Sequence, residues 1–422
     1  MTALQSAILL LSINLGLLWL LMRMPLGTRT IRMSRTFKCP PETLWSAINP
    51  LGKAGDWHHS VISSKPIAFR QGFIEQIYKQ SDKNGEPIRR LLSLEPMPAA
   101  TPNTLGFQSS VVDDSAVDPV FWQNFRERRI ILPSPDGATI EITQADRYRG
   151  LAFLLFRYFV LRREMRALKG WLETGESQPQ GHFEHPPVQM ALAVLSTLLL
   201  WPFFGLNTNG LMISTFLTLV IVLHELGHMA AYRTFGHTSV RMIFVPLLGG
   251  IAIGGRPYRS LFEVATCALM GPGMSGFLVP ILIIAYQAAN TAVIPTVSGP
   301  PILVFLLILG AFNLLNLLPM YRFDGGQVLR QIFRTRRSQI FASFVVTLCI
   351  LAVGFEIGLT TNMLLAGLAV FILVSMIGSG SVKPRQKLDE MKGGERMLVA
   401  FGLYAAVAVH GYAIIFTTEK LF

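Results

Sequence analysis

LTLVIVLHELGHMAAYR, residues 217–233, is an apolar run that closes on three ionisable side chains, His224, Glu225 and His228. On a helix, positions i and i+4 share a face. His224 and His228 therefore project together, with Glu225 one position on. Two imidazoles so placed can hold one divalent ion, and the intervening carboxylate can reach water at that ion. With 8 His and 16 Glu in 422 residues, chance gives H-E-x-x-H roughly 0.006 times. The bland alternative is a His-Glu-His set satisfied inside a helix bundle. Position argues against it, because ionisable groups at bilayer depth are costly and are kept where they face a cavity, a partner or a metal.

Working outward, the rest of the chain has the composition of a membrane protein. It is 51% hydrophobic and only 15% charged, with mean hydropathy +0.45, where soluble domains are about 25% charged. Three cysteines, Cys39, Cys267 and Cys349, are too few and too scattered for a disulfide framework or a thiolate metal site. Eight stretches are long enough to cross a bilayer, which takes about 20 apolar residues: 5–22, 189–206, 210–231, 262–286, 300–319, 339–355, 361–379 and 396–417. No basic residue precedes the first, Arg23 follows it and no A-x-A site is present, so it reads as an uncleaved anchor, not a signal peptide.

The formal charge of +12 would suggest nucleic acid in a soluble protein. Here it follows the membrane. With the N-terminus outside, the outer segments 1–4, 207–209, 287–299, 356–360 and 418–422 hold one basic residue, Lys420, so 37 − 1 = 36 lie inside or at inner span ends. That one-sided bias is the positive-inside pattern, and no nucleic-acid partner is expected. Residues 23–188 are then cytoplasmic, and a bacterial inner membrane is the expected location.

A catalytic metal needs a third protein ligand and an open position. The candidates are His237, in the loop after the motif; His410, midway along the last span; and Asp324, in FNLLNLLPMYRFDGGQVLR. Asp324 is favoured. It is the only acid between 264 and 355, and it falls on the same side as His228. Asn316 and Pro319 break the helix before it, and Gly325-Gly326 let the backbone turn. Broken backbone at membrane depth is tolerated where it is buried in protein or lines a wet cavity. The apolar segment 240–255, interrupted by Pro246 and four glycines, is too short to cross and reads as a re-entrant piece.

HELGH on one span, GPGMS (271–275) on the next and NLLPMYRFDGG (316–326) after a later one together resemble the site-2 protease family of intramembrane zinc metalloproteases. The resemblance covers roughly 185–335. It implies one Zn²⁺ per chain on His224, His228 and Asp324, with Glu225 as the catalytic glutamate and Asn316 lining the site as an oxyanion donor. It also implies cavity or substrate contacts at Gly271, Pro272, Ser275 and Pro319, and a membrane-dipping β-hairpin at 240–255 whose edge could pair with an unwound substrate. Ser275 stands where Asn is usual, and Tyr321-Arg322-Phe323 replaces a Pro-Pro-Leu-like stretch; both departures touch cavity lining, not the ligands. The implied substrates are membrane-anchored, often regulatory, proteins. Three rivals remain: a CAAX-type membrane protease taking Glu263 as third ligand, a lipid-sensing receptor with a structural zinc, and a transporter.

Residues 23–188 are a domain-sized insert. Segments 71–79, 87–94, 104–112, 125–132 and 138–147 read as strands, the last two joined by the turn PSPDG (133–137). Segment 40–50 reads as a short helix and 151–175 as a long amphipathic one. With SRTFKCPPETLWSAI at the start, this order resembles the START/polyketide-cyclase-like (SRPBCC-type) helix-grip domains. The expected organisation is an anchor at 1–22, this domain at 30–176, a linker at 177–188, the catalytic membrane core at 189–335 and further spans at 336–422. An apolar ligand or a regulatory protein is the expected partner at 30–176, gating access to the site. His58-His59, His182 and His185 read as exposed residues and not as a second metal site.

Overall fold

The computed structural model describes residues 3–97, 104–175, 185–376 and 387–422. The chain divides into two compact units, one built mainly on 17–181 and the other mainly on 182–379 and 388–422.

Apolar helix α1 (Ala3–Met22) is followed by β1 (Pro25–Phe37), α2 (Pro41–Ile48), α3 (Ala54–Trp57), β2 (Val61–Pro66), β3 (Phe73–Ser81), β4 (Pro87–Pro96), β5 (Leu105–Asp114), β6 (Arg126–Ser134), β7 (Gly137–Arg149) and the long helix α4 (Leu151–Thr174). The seven strands form one antiparallel sheet in the order β1-β7-β6-β5-β4-β3-β2. All five expected strands are present. The PSPDG turn closes the β6–β7 hairpin, pairing Ser134 with Gly137. Gly137 has φ +131°, and a Cβ there would run into the Phe37 carbonyl, so the turn needs glycine.

Strand β7 shows how sequence period becomes a core. Ala138, Ile140, Ile142, Gln144, Asp146 and Tyr148 alternate inward and are all buried, as a period of two requires. The first three join Ile31, Leu44, Ile48, Trp57, Leu161, Met165 and Leu168 in one apolar cluster. Helix α4 contributes its inner stripe to that cluster and stops at Gly175, φ +73°, a left-handed C-cap.

The second unit is helical. It contains α5 (Pro186–Leu200), α6 (Thr208–Thr234), the strands β8 (Arg241–Val245) and β9 (Gly249–Ile253), α7 (Leu261–Asn290), α8 (Gly299–Asn316), α9 (Asp324–Ile332), α10 (Arg336–Glu356), α11 (Thr361–Met376) and α12 (Gly393–Leu421). Among the described residues, six helical segments are long and apolar enough to cross a membrane: Pro186–Phe204, Thr208–Thr234, Leu261–Asn290, Thr296–Asn316, Arg336–Glu356 and Gly393–Leu421. The other two expected spans correspond to shorter apolar stretches, Ile8–Met22 and Thr361–Val370; the end of the expected span 361–379 lies outside the described residues, as does most of the expected linker.

Packing explains which helices hold the site. Val220, Val279, Leu306, Leu309 and Ala413 bring α6, α7, α8 and α12 into one cluster. Outward, α7 exposes Phe277, Ile281 and Ile284, and α10 exposes Ile340, Phe341, Phe344 and Leu348. Such stripes at helical spacing would be a liability in water and suit a lipid surface. The chain is an integral membrane protein.

Candidate metal centre

Helix α6 starts at an Asn207 cap, whose side chain accepts from Gly210 N, and carries His224, Glu225 and His228 into the packed interior. Gly227 lets α7 come close, since a Cβ there would meet the Met270 carbonyl. Gly271 of α7 does the same for the ligands: a Cβ would sit 2.5 Å from His228 Nε2 and 2.8 Å from His224 Cε1. Any side chain at 271 would fill the space that a metal needs.

The third group arrives from the break after α8. The chain turns through Leu317–Phe323 and restarts at Asp324. Cβ atoms at Gly325 or Gly326 would collide with the carbonyls of Leu317 and Met320, so the Gly pair is what lets α9 start beside the end of α8. Asp324 Oδ2 lies 3.0 Å from His224 Nε2 and 3.5 Å from His228 Nε2. The two Nε2 atoms are 3.1 Å apart. A tetrahedral zinc with ligand bonds of about 2.0–2.1 Å has ligand–ligand edges of ~3.3 Å, and these three separations bracket that value.

Hydrogen bonding settles which nitrogens are bare. His224 Nδ1 donates to Asn313 Oδ1 at 2.8 Å. Asn313 Nδ2 donates to Leu309 O at 2.8 Å, which aims the amide oxygen at the imidazole. His228 Nδ1 donates to Cys267 O at 2.7 Å. Both rings are thus protonated on Nδ1, so in the neutral form each turns its Nε2 lone pair to the shared point, the usual support of a metal-bound imidazole. Asp324 Oδ2 is buried with no hydrogen-bond donor of its own, an expensive state that a cation relieves. Neutral imidazoles and a carboxylate suit zinc, so the donor set fits the ion that the sequence implies.

Glu225 stands beside this point. Its Oε2 accepts from Ala252 N at 2.8 Å, and a Cβ at Gly250 would run into its side chain. The expected re-entrant segment is therefore the β8–β9 hairpin laid against the motif. Its other edge is tied to α5, where Gln189 Oε1 accepts from Phe244 N and Ser196 Oγ from Leu247 N. Gly250, Ile251 and Ala252 of β9 line a cavity of about 250 Å³ together with His224, Glu225, His228 and Asp324.

Asn316 lines that cavity, with one amide hydrogen committed to Phe312 O at 3.0 Å. One amide N–H remains for a ligand. Pro319 lies in the turn before α9 and does not line the cavity. Ser275, fully buried one turn beyond Gly271, does not line it either. Pro272 lacks an N–H, so the Ala268 carbonyl loses its helical donor; Ala268 lines the cavity. The Pro272 carbonyl accepts from His410 Nε2 at 2.9 Å.

The rival ligands lie elsewhere. His410 is held on Pro272. His237 Nε2 is 2.8 Å from Glu263 Oε1, and Glu263 also takes Arg256 Nη2 at 2.8 Å and Arg259 N at 2.7 Å. That carboxylate is fully occupied, so neither His237 nor Glu263 joins the pair from α6. Asn313, Tyr232, Tyr258, Arg322 and Gln327 are site residues that sequence reasoning passes over. Tyr232 had a readable signal, being at i+4 from His228.

The chain is 29% identical over 165 residues to a zinc metalloprotease of Methanocaldococcus jannaschii, a match covering 37% of this chain and 44% of that protein, so it spans less than half of that relative's length. Among solved structures it is similar to the site-2 protease of Methanocaldococcus jannaschii, with 22% identity, 47% of this chain and 93% of that one covered, and TM-score 0.28. The N-terminal region is similar to a START-superfamily protein from Mycobacterium smegmatis, with 11% identity, 36% and 99% covered, and TM-score 0.27. No protein-family model matches.

Proposed function

We propose that the membrane unit is an intramembrane zinc metalloprotease that hydrolyses peptide bonds in or near the transmembrane segments of membrane-anchored, often regulatory, proteins. One observation carries this reading: His224 Nε2, His228 Nε2 and Asp324 Oδ2 converge, with both imidazole tautomers set to leave Nε2 bare. Glu225 lies beside them at a cavity open to a ligand.

Zinc bound by these residues supplies Lewis acidity toward the scissile carbonyl and the attacking water. The chain's own residues do the rest. Glu225, anchored through Oε2 to the hairpin, keeps Oε1 to take the water's proton and deliver it to the leaving nitrogen, work worth about 10²–10⁴-fold. The remaining N–H of Asn316 donates to the developing oxyanion. The β9 edge holds an unwound substrate segment by strand addition. A helical substrate must unwind first, because its carbonyls are spent on its own hydrogen bonds.

In this reading the N-terminus is outside a bacterial inner membrane and residues 23–188 face the cytoplasm, as the 36 of 37 basic residues favour. The N-terminal unit gates access to the site. The test is cleavage of a single-span reporter in membranes with and without chelator. Glu225→Gln keeps zinc and loses cleavage; His224→Ala and Asp324→Ala lose zinc. Chelator-insensitive cleavage, or full cleavage by Glu225→Gln, refutes the assignment. A metal-loaded protein that never cleaves leaves the receptor reading.

A further inference from the structure

The N-terminal unit encloses a cavity of about 410 Å³ between the sheet and α4, inside the range of about 300–1,000 Å³ typical of small-molecule sites. Part of its wall is apolar: Trp57, Leu92, Phe107, Val111, Phe125 and Val160. The helix-grip resemblance implies an apolar ligand or a regulatory protein there. The rest of the wall is not apolar, because Arg90, Arg129, Arg157 and Arg163 line it together with Glu127 and Glu164.

Both carboxylates of this wall already face a cation. Glu127 accepts from Arg129 Nε and Gln144 Nε2, and Glu164 pairs with Arg129 Nη2 at 2.7 Å. Gln76 Oε1 accepts from Tyr78 and Ser60 Oγ from Gln80. His58 Nδ1 accepts the backbone N–H groups of Ser60 and Val61, so its proton sits on Nε2. Arg163 Nη2 donates to His59 Nε2 at 2.8 Å. Burial, and for His59 also the Arg163 charge, keeps these stacked imidazoles neutral, with His59 down to about 4.

Donors are left over. Arg157 Nε and Nη2 are buried without a hydrogen-bond partner, and Asp146 Oδ2, at 3.7 Å from Nη2, is too far to accept. The guanidinium is packed among Trp122, Phe125 and Phe153, 4.8–5.3 Å from their ring centres. Arginine is the side chain suited to planar, bidentate recognition of a carboxylate, and here Nε and Nη2 carry no hydrogen bond at the wall of a chamber that is part apolar and part charged.

We propose that this cavity binds an organic acid, a carboxylate on an apolar body, with the carboxylate against Arg157 and the body along Trp57, Leu92 and Phe107. This does not depend on the metalloprotease reading. The full chain in phosphatidylcholine nanodiscs is titrated with decanoate carrying ¹³C at the carboxyl, and with decanol and decylamine of matched chain. Decanoate binds saturably, at least tenfold tighter than either analogue. Arg157→Gln weakens decanoate at least tenfold and leaves decanol unchanged, Arg157→Lys recovers part of the loss, and Ser109→Trp, which fills the cavity, removes binding of all three. Near-ultraviolet circular dichroism of each variant checks that the unit is folded. Equal affinity for decanol and decanoate, a folded Arg157→Gln protein with undiminished decanoate affinity, binding that survives Ser109→Trp, or no saturable binding at all overturns the proposal.

Discussion

Asn313 determines whether His224 can be a ligand. Without an acceptor at Nδ1, the imidazole is free to carry its proton on Nε2 and to turn its lone pair away from Asp324. The Leu309 carbonyl fixes the amide, the amide fixes the ring, and the ring presents Nε2. Loss of such outer support typically costs about 10–100-fold in metal affinity. Asn313→Leu, which keeps the branched shape and removes the acceptor, is therefore expected to weaken zinc binding by about that factor, read by competition with a chromogenic chelator, whereas Asn316→Leu leaves affinity near that of the parent and lowers turnover. Equal zinc affinity in parent and Asn313→Leu removes this role. The contrast also shows what a sequence discloses at this scale. HELGH is contiguous, so its geometry follows from helical spacing. Asp324 is legible because acids are rare in the membrane half. Asn313 and Asn316 stand in one helix, and choosing between them needs the rotational phase of α8 against α6, which a single chain does not show.

At the scale of elements, the β8–β9 hairpin gives the site its open wall. Its apolar content, its length and its glycines are readable at 240–255. Its register, Arg241 opposite Ile253 through Val245 opposite Gly249, is set by a turn in which Leu247 takes φ +67°, a conformation that leucine's sequence statistics do not announce. The consequence is specific. Gly250 admits the Glu225 side chain, and the Ala252 N–H holds one carboxylate oxygen so that the other is presented. Ala252→Pro deletes that N–H without touching a ligand. Cleavage of a single-span reporter should fall about 10–100-fold by the positional precision that catalysis requires, with zinc content unchanged. Zinc lost in proportion to activity would mean that the hairpin serves only to hold the centre together. The N-terminal sheet was more legible, because alternation along β7 and the PSPDG turn are local signals. The polar half of its cavity was not, since Arg90 of β4, Glu127 and Arg129 of β6 and Arg157 of α4 lie far apart in the chain and read singly as solvated charges.

The whole chain joins two units whose stabilities answer to different chemistry. In the membrane unit, α6 and α9 share the metal ligands, so bound zinc stabilises the native state by mass action and chelation removes that increment. In the N-terminal unit the sensitive groups are the histidines. His59 is held at about 4 against 6.5 when unfolded, first by burial and then by Arg163, and burial likewise lowers His58. Between those values the unfolded chain binds more protons than the folded one, so stability falls as pH drops from about 6.5 toward 4 and is insensitive to these groups above 6.5. The buried Glu164, held below its usual range by Arg129 despite burial, adds a further loss only as pH falls through the carboxylate range. Hydrogen exchange corrected for intrinsic rates separates the two units within one sample. Peptides from 61–149 are expected to lose protection between pH 7 and pH 5, and His59→Asn flattens that loss; chelator at pH 7 loosens peptides from α6 and α9. Protection in 61–149 that is flat from pH 7 to pH 5 would mean that the imidazoles already carry charge in the folded cavity, contrary to the tautomers that Ser60, Val61 and Arg163 impose.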